Sequence, residues 1–183
     1  MNPNAAHEPI IKIENLYKKY GDNVVLDGFN LNLYQGENLV IMGKSGSGKS
    51  VMIKCLIGLE IPDSGSIEIM SQKLEHLSLK ALDEIRADIG FLFQGSALYD
   101  SMTVRENLEF PLRRHISKFG NVKDTLPLVE EALQNVGLKN VIDLMPNELS
   151  GGMKRRVALA RTLILKPKII IYDEPTTGLD PIT

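Results

Sequence analysis

One short stretch of the sequence places three glycines around serines and two lysines. It is Gly43-Lys44-Ser45-Gly46-Ser47-Gly48-Lys49-Ser50, which fits the pattern G-x-x-x-x-G-K-[ST]. Such glycines let backbone N–H groups converge on phosphate oxygens, and the positive end of a following helix adds to that field. Lys49 can then reach the β- and γ-phosphates of a nucleotide, and the Ser50 hydroxyl can bind Mg²⁺. A glycine-rich loop that merely turns is the alternative, which the apolar strand before it and the helix after it disfavour.

A second candidate site lies near the end of the sequence, where an apolar run meets two acids. Ile169–Tyr172 is typical of a buried strand, and it delivers Asp173 and Glu174 at its end. Asp173 could hold the Mg²⁺ shell, and Glu174 is placed to polarise a water molecule. A strand that ends in solvated acids is the alternative, and the phosphate-binding motif elsewhere in the chain makes that alternative less favoured.

A third motif, Leu149-Ser150-Gly151-Gly152-Met153, precedes a predicted helix. Ser150 is a good N-cap residue, and the two glycines leave backbone amides bare beside a helix N-terminus. Bare amides at that position form a second anion site. An ordinary capped helix start explains the same residues, and on this motif alone both interpretations stay open.

The elements that must position these motifs alternate between strands and helices, which predicts an α/β sheet. The predicted strands are Ile10–Leu16, Val24–Leu33, Asn38–Met42, Ser66–Met70, Ile89–Phe93 and Lys168–Tyr172. The predicted helices are Lys49–Leu59, Leu79–Ala87, Val104–Arg114, Thr125–Val136 and Gly151–Leu165. The first two strands should pair antiparallel through the turn Gly21-Asp22-Asn23. On the last helix, Met153, Val157, Ala160 and Ile164 share one face, while Lys154, Arg155 and Arg161 lie elsewhere.

Composition excludes several classes of protein. The net charge of −2 over 183 residues argues against a protein that coats nucleic acid. No apolar run approaches the ~20 residues that span a bilayer. One cysteine, Cys55, excludes an internal disulfide framework and is expected in the core. The polar N-terminus, Met1–Pro9, lacks the features of a secretory signal, so a cytoplasmic protein is expected.

Five features follow one another along the chain: GKSGSGKS, Gln94, LSGGM, IIIYDEP and TGLD. Together they resemble the nucleotide-binding subunit of ABC transporters. The resemblance runs from about Ile10 to the end. It implies an α/β P-loop NTPase fold: a RecA-like core with an antiparallel β subdomain and an inserted α-helical signature subdomain. It also implies one ABC ATPase domain over residues 1–183, C-terminally incomplete, with its core at about 10–94 and 166–183 and its helical subdomain at about 95–165.

The resemblance assigns roles to the residues that match the motifs of this family. Lys49 and Ser50 hold the phosphates and Mg²⁺, and Asp173 supports the metal. Gln94 contacts the metal and the water and senses a membrane partner, and Glu174 is the general base. The cofactors implied are therefore ATP and Mg²⁺.

Further implied roles concern a dimer and the base of the nucleotide. Two subunits sandwich two ATP molecules head to tail, and Ser150-Gly151-Gly152 of one binds the γ-phosphate held by the other. Asp180 lies at the dimer contact, and Tyr20 stacks on adenine. Tyr17 and Tyr20 both lie near the end of the first strand, where an aromatic residue more often packs than stacks.

Two longer stretches, Phe93–His115 and Met145–Thr183, resemble more narrowly the Mla-type ATPases (maintenance of lipid asymmetry), partners of MCE-domain lipid transporters. Met153, where many ABC proteins have glutamine, is usual in that branch. The match implies a peripheral protein on the cytoplasmic face of the inner membrane. With transmembrane permease subunits and an MCE-domain protein, it would power phospholipid transport between inner and outer membranes. Neither a nucleic-acid partner nor direct membrane insertion is expected.

The family has a further strand and a switch histidine beyond the segment that carries Asp180. This sequence ends three residues after Asp180, and His7, His76 and His115 all precede the signature motif. We therefore expect this chain alone to bind ATP weakly and to hydrolyse it slowly or not at all. The complete protein should hydrolyse it.

The sequence leaves three alternatives to a phospholipid-transport ATPase. The first is a soluble ABC ATPase that acts on ribosomes or DNA, although such proteins often carry two cassettes or long coiled-coil inserts. The second is an ABC importer or exporter ATPase for another substrate. The third is a different P-loop enzyme, such as a small-molecule kinase, in which LSGGM and Gln94 would have no role. The basic run Arg113-Arg114 is expected on a solvated face, or against a permease helix or lipid headgroups.

Overall fold

The structure, a computed structural model, describes residues 8–92, 96–115 and 124–173. The chain divides into two compact units, of which the first ends at Ile85 and the second begins at Arg86. Helices and strands occur in both units, as predicted for an α/β protein. The predicted boundaries between a core and a helical subdomain stay a prediction.

The first unit contains a four-stranded antiparallel sheet. Its strands are β1 (Ile11–Tyr20), β2 (Asn23–Leu33), β3 (Ser64–Ile69) and β4 (Gln72–Lys73), in the order β2-β1-β3-β4. The predicted pairing of the first two strands is confirmed, with Ile11 opposite Leu33 and Tyr20 opposite Asn23. Alternate apolar residues face the core because successive side chains of a strand point to opposite faces. The residues buried in this way on β1 and β3 are Ile11, Ile13, Ile67 and Ile69, and Leu16 is buried as well because the register of β1 shifts between Ile13 and Leu16.

Two helices begin in the first unit. Helix α1 (Lys49–Leu56) buries Met52, Cys55 and Leu56, and burial raises the pKa of the Cys55 thiol. The expectation that Cys55 is a core residue is therefore confirmed. Helix α2 (Leu79–Ala87) has the predicted bounds and follows a short 3₁₀ turn at Leu74–His76.

The strand predicted over Asn38–Met42 is not formed. Neither described sheet includes this segment, and Leu39, Val40, Ile41 and Met42 are between 38% and 88% exposed. The prediction is therefore wrong for this structure. An apolar run indicates a tendency to pair, but a strand forms only where a neighbouring strand supplies partners for its backbone groups.

Within its described residues, the second unit packs three helices beside two parallel strands. The strands are β5 (Ile89–Leu92) and β6 (Ile169–Tyr172), and the helices are α3 (Val104–Arg114), α4 (Leu126–Asn135) and α5 (Gly151–Leu163). Ile89 pairs with Ile169 and Leu92 with Tyr172. The predicted apolar face of α5 is confirmed, since Val157, Ala160 and Ile164 lie in the core and Met153 packs against it. No helix within the described ranges is long and apolar enough to cross a membrane.

A buried carboxylate joins α3 to the start of α4. The Glu109 side chain is only 5% exposed and accepts hydrogen bonds from Arg105 Nε (2.7 Å), from Thr125 Oγ1 (2.7 Å) and from Arg113. Arg113 of the predicted basic run is thus part of an ion cluster. Burial acts to raise the pKa of Glu109, but these hydrogen bonds outweigh burial and lower the pKa from 4.5 to about 2.

Replacing Glu109 with glutamine should destabilise the protein in a pH-dependent way. At pH 7 we expect the free energy of unfolding to fall by about 1–3 kcal/mol, because the charge-assisted bonds of Arg105 and Arg113 are weakened. The folded-state pKa of about 2 lies below the unfolded value of 4.5, so between these values the unfolded chain binds more protons at Glu109. The stability that the ionised Glu109 contributes is present above about pH 4.5 and is lost as the pH falls towards 2.

Urea unfolding followed by circular dichroism at pH 7, about 4.5 and about 3 measures this effect. The matched control is Glu130→Gln, which removes an exposed carboxylate from α4. The stability difference between wild type and Glu109→Gln should shrink as the pH falls, while the difference for Glu130→Gln stays small throughout. A difference for Glu109→Gln that is the same at pH 7 and pH 3 contradicts the assignment.

Candidate nucleotide-binding site

The glycine-rich motif forms a loop that leads directly into α1. Gly48 is the N-cap residue, with φ 90° and no side-chain cap, and its carbonyl accepts from Met52 N at 2.8 Å. The Lys49 Nζ atom turns back over the loop and donates to the carbonyls of Gly43 (2.7 Å) and Lys44 (3.0 Å). The Lys49 ammonium therefore closes the loop onto Gly43 and Lys44.

The loop approaches β2 so closely that only glycine fits at position 48. A Cβ atom placed there would lie 2.7 Å from the Val25 carbonyl oxygen and 3.1 Å from a methyl group of Leu26. The positive φ of Gly48 also disfavours any other residue. Gly46 has a similar φ of 79°, but a Cβ there would meet nothing within 4 Å.

This contrast gives a testable pair of substitutions. We expect Gly48→Ala to lower the free energy of unfolding by about 2–3 kcal/mol, because a steric clash adds to backbone strain. Gly46→Ala adds backbone strain without a steric clash, so we expect the free energy of unfolding to fall by about 1 kcal/mol. Urea unfolding of both variants measures the effects. Equal losses in the two variants would show that the contact with β2 does not fix the loop.

The groups around this loop fit a polyphosphate. The first N–H groups of α1 have no partner within the helix, and the N-cap residue supplies no side chain to them. Among the described residues, no ion pair uses the Lys49 ammonium, which bonds to carbonyls alone. The hydroxyl of Ser50, an exposed residue at the start of α1, is a hard oxygen donor of the type that Mg²⁺ prefers. The donor set therefore suits a phosphate chain with its metal.

The acidic motif lies in the second unit. Asp173 directly follows β6 and continues its ladder, since its backbone N–H donates to the Leu92 carbonyl at 3.1 Å. The strand thus delivers a half-buried carboxylate at its end, as predicted. Gln94, Glu174 and Asp180 lie outside the described residues, so their roles stay predictions.

The LSGGM motif begins α5. Ser150 is the N-cap residue, and its Oγ accepts from Met153 N at 3.2 Å, which confirms the predicted cap. Gly151 and Gly152 are exposed, and a Cβ atom at either would meet nothing within 4 Å. The packing of this unit therefore does not require glycine there. The anion site at these amides stays a prediction.

Tyr20 ends β1 and is 45% exposed. Lys18 Nζ lies 5.3 Å from the centre of its ring, a cation–π contact that the sequence did not indicate. Partial burial and the neighbouring Glu60 carboxylate raise the pKa of the Tyr20 hydroxyl. Tyr17 is half-buried within the same strand. Tyr20 is thus the more accessible of the two rings, and its stacking on adenine stays a prediction.

Sequence reasoning overlooked two polar residues that hold the loop formed by residues 96–103. Asn107 on α3 is fully buried and accepts from Tyr99 N at 2.8 Å. Arg161 on α5, expected on a polar face, instead donates to the Ala97 carbonyl at 2.8 Å. A signal was available only for Asn107, a polar residue on the otherwise apolar face of a predicted helix.

Comparison with known proteins identifies the family. The ABC transporter family matches residues 26–177. The intermembrane phospholipid transport system ATP-binding protein MlaF of Haemophilus influenzae is 41% identical over 97% of this chain and 66% of its own length. The methionine import ATP-binding protein MetN of Clostridium tetani is 40% identical over 95% of this chain and 54% of its own length. The chain thus spans between about half and two thirds of these relatives.

A solved structure agrees in fold. The dimeric, post-hydrolysis ATP-binding cassette MJ0796, bound to ADP and Pi, matches with a TM-score of 0.81 and 37% identity. The match covers 94% of this chain and 77% of that chain. The predicted α/β P-loop NTPase fold is therefore confirmed. The chain belongs to the ABC transporter family and has the fold of its ATP-binding cassettes.

Proposed function

We propose that this chain supplies ATP-binding and ATP-hydrolysing residues to a longer protein, the ATP-binding subunit of a transporter. The observation that carries the proposal is the Lys49 ammonium, held by two loop carbonyls at the head of α1. That position suits a cation that contacts the β- and γ-phosphates. The family match and the relatives named for ATP binding support the same conclusion.

The proposed reaction is in-line attack of water on the γ-phosphate. Lys49 stabilises the charge that develops on the phosphate oxygens, and Glu174 takes the proton of the attacking water. Gln94 orients that water. Ser50 and Asp173 would hold Mg²⁺, which neutralises phosphate charge when bound.

We propose further that two copies bind two ATP molecules head to tail. Gly151 and Gly152 support this, because glycine near the start of a helix costs stability that the packing of this unit does not demand. Bare amides at a capped helix start are instead accessible to an anion from outside, such as the γ-phosphate of the partner's ATP. The dimeric state of the MJ0796 cassette adds support. Tyr20 would stack on adenine, and Asp180 would lie at the dimer contact.

The transported substrate we propose is phospholipid, carried between the inner and outer membranes. The support is the identity to MlaF and the Mla-type sequence features around Met153. The subunit would then lie on the cytoplasmic face of the inner membrane, bound to a transmembrane permease and an MCE-domain protein. MetN of Clostridium tetani, named for methionine import, is nearly as similar, so substrate choice needs a direct test.

The test is a mild-detergent pull-down of the full-length protein from its own membranes, with mass spectrometry of co-purified proteins and lipid. An untagged strain gives the background. The proposal predicts a multi-span permease, an MCE-domain protein and bound phospholipid. A different permease without phospholipid contradicts the lipid substrate but keeps the ATPase. Ribosomes or DNA-repair proteins without a permease contradict transport itself.

A further inference from the structure

Arg161, in the last turns of α5, reaches across to the loop at residues 96–103. Its Nη1 donates to the Ala97 carbonyl at 2.8 Å, and its Nη2 lies 3.5 Å from the Ser96 carbonyl. The guanidinium carbon also lies 5.7 Å from the centre of the Tyr99 ring. One side chain thus contacts three residues of the loop. Ala97 itself has φ 47°, a left-handed conformation that a non-glycine residue keeps only where its surroundings impose it.

The other end of this loop is fixed by α3. The Nδ2 of Asn107 lies within hydrogen-bond distance of the carbonyls of Tyr99 (3.1 Å), Met102 (3.0 Å) and Thr103 (3.0 Å), which share its two hydrogens. The Tyr99 and Phe110 rings meet with centroids 4.9 Å apart. Asn107 therefore anchors the loop to α3, and Arg161 anchors its beginning to α5.

Packing alone does not hold the beginning of the loop. A cleft of about 330 Å³ lies beside it, lined in part by Phe91, Ala97, Tyr99, Phe110 and Arg161. Hydrogen bonds must therefore hold the part of the loop that side-chain packing does not hold. The planar guanidinium presents its donors in a fixed fork and can stack on an aromatic ring, whereas an ammonium is a compact point charge on a flexible stem, so lysine is a poor substitute for Arg161.

A contribution to the stability of the fold does not explain why an arginine occupies position 161. Its side chain is half-buried, and burial lowers the pKa of its guanidinium. Within the described part of the chain it forms no ion pair with a carboxylate, so its charge is compensated by carbonyl dipoles alone. A buried charge of this kind costs more than an apolar side chain of the same size.

We infer that Arg161 is a positioning residue that locks the loop at residues 96–103 to α5. The inference rests on the proposed function, because α5 begins with Ser150-Gly151-Gly152 and the loop begins two residues after Gln94. Arg161 thereby fixes the loop that begins two residues after Gln94, the residue proposed to orient the attacking water.

The experiment compares Arg161→Met and Arg161→Lys with Arg156→Met in the full-length protein. Arg156 is an exposed arginine on the same helix that also bonds a carbonyl, that of Gly137, so its loss is a matched control. We expect kcat to fall about 10- to 100-fold in Arg161→Met, with the Kd for ATP changed less than about twofold. Arg161→Lys should also be slow, although it keeps the charge and the aliphatic stem. Amide hydrogen exchange at residues 96–103 should rise in both Arg161 variants and not in Arg156→Met.

Three results would overturn the inference. The first is a kcat for Arg161→Lys equal to that of Arg156→Met. The second is a fall in ATP affinity or in folded fraction that accounts for the whole loss of rate. The third is unchanged exchange at residues 96–103. A wild-type protein that hydrolyses no ATP overturns the proposed function as well, so the two failures are distinguishable.

Discussion

Replacing Lys49 with methionine in the full-length protein should weaken ATP binding by about 10- to 100-fold and hydrolysis by more. The reason is that charge-assisted hydrogen bonds contribute about 1.5–3 kcal/mol, and each 1.4 kcal/mol is tenfold in affinity. Hydrolysis suffers further, because Lys49 also stabilises charge that develops only in the transition state. Calorimetric titration with ATP and a steady-state hydrolysis assay measure the two effects.

The matched control is Lys44→Met in the same loop. Lys49 bonds to the backbone carbonyl of Lys44, which this substitution keeps. Lys44→Met should therefore retain ATP binding within about threefold. Melting temperatures of both variants distinguish a loss of ATP binding from a loss of folding. The distinction is needed because Lys49 also bonds to carbonyls of its own loop. Equal losses in the two folded variants would remove Lys49 from the proposed role.

Replacing Glu174 with glutamine should abolish turnover while ATP stays bound. Glutamine has nearly the same shape but cannot accept the proton of the attacking water, and a general base contributes about 10²–10⁴ in rate. ATP that is bound but not cleaved should hold two copies together. Size-exclusion chromatography with light scattering should therefore show an ATP-dependent dimer of Glu174→Gln.

The double variant Lys49→Met/Glu174→Gln is the control for that dimer. It should elute as a monomer with ATP, because the dimer depends on bound nucleotide. A Glu174→Gln protein that hydrolyses ATP at the full rate rules out Glu174 as the base. A dimer that forms equally in the double variant shows that association does not depend on ATP.

Sequence patterns predicted most of the helices and strands because the spacing of apolar residues shows which side of each element faces the core. Helix α2 and helix α3 were predicted with their observed bounds. The cap at Ser150 followed from the preference of serine for that position, and its hydrogen bond to Met153 is present. These features depend on residues close together in the chain, so the sequence was sufficient.

Features that depend on distant neighbours were not predictable in this way. The segment Asn38–Met42 has the composition of a strand, but pairing is decided by what lies beside it. Arg161 bonds to a loop more than 60 residues earlier, so no local pattern marks it. The fit of Gly48 against the Val25 carbonyl is likewise visible only in three dimensions, although the motif itself marks the glycine.

In the proposed dimer, ATP binds between the glycine-rich loop Gly43–Ser50 of one copy and the LSGGM motif of another. The most direct test of this claim is to mix Ser45→Cys and Gly151→Cys proteins, each in the Glu174→Gln background, and to oxidise them mildly. The one cysteine of these 183 residues, Cys55, is buried, and position 151 has room for a side chain.

We predict a disulfide-linked two-chain product that forms only in the mixture and only with ATP. Either variant alone, or the mixture without nucleotide, should stay as single chains on a non-reducing gel. A mixture that binds ATP but yields no two-chain product, or yields it equally without ATP, would contradict the claim.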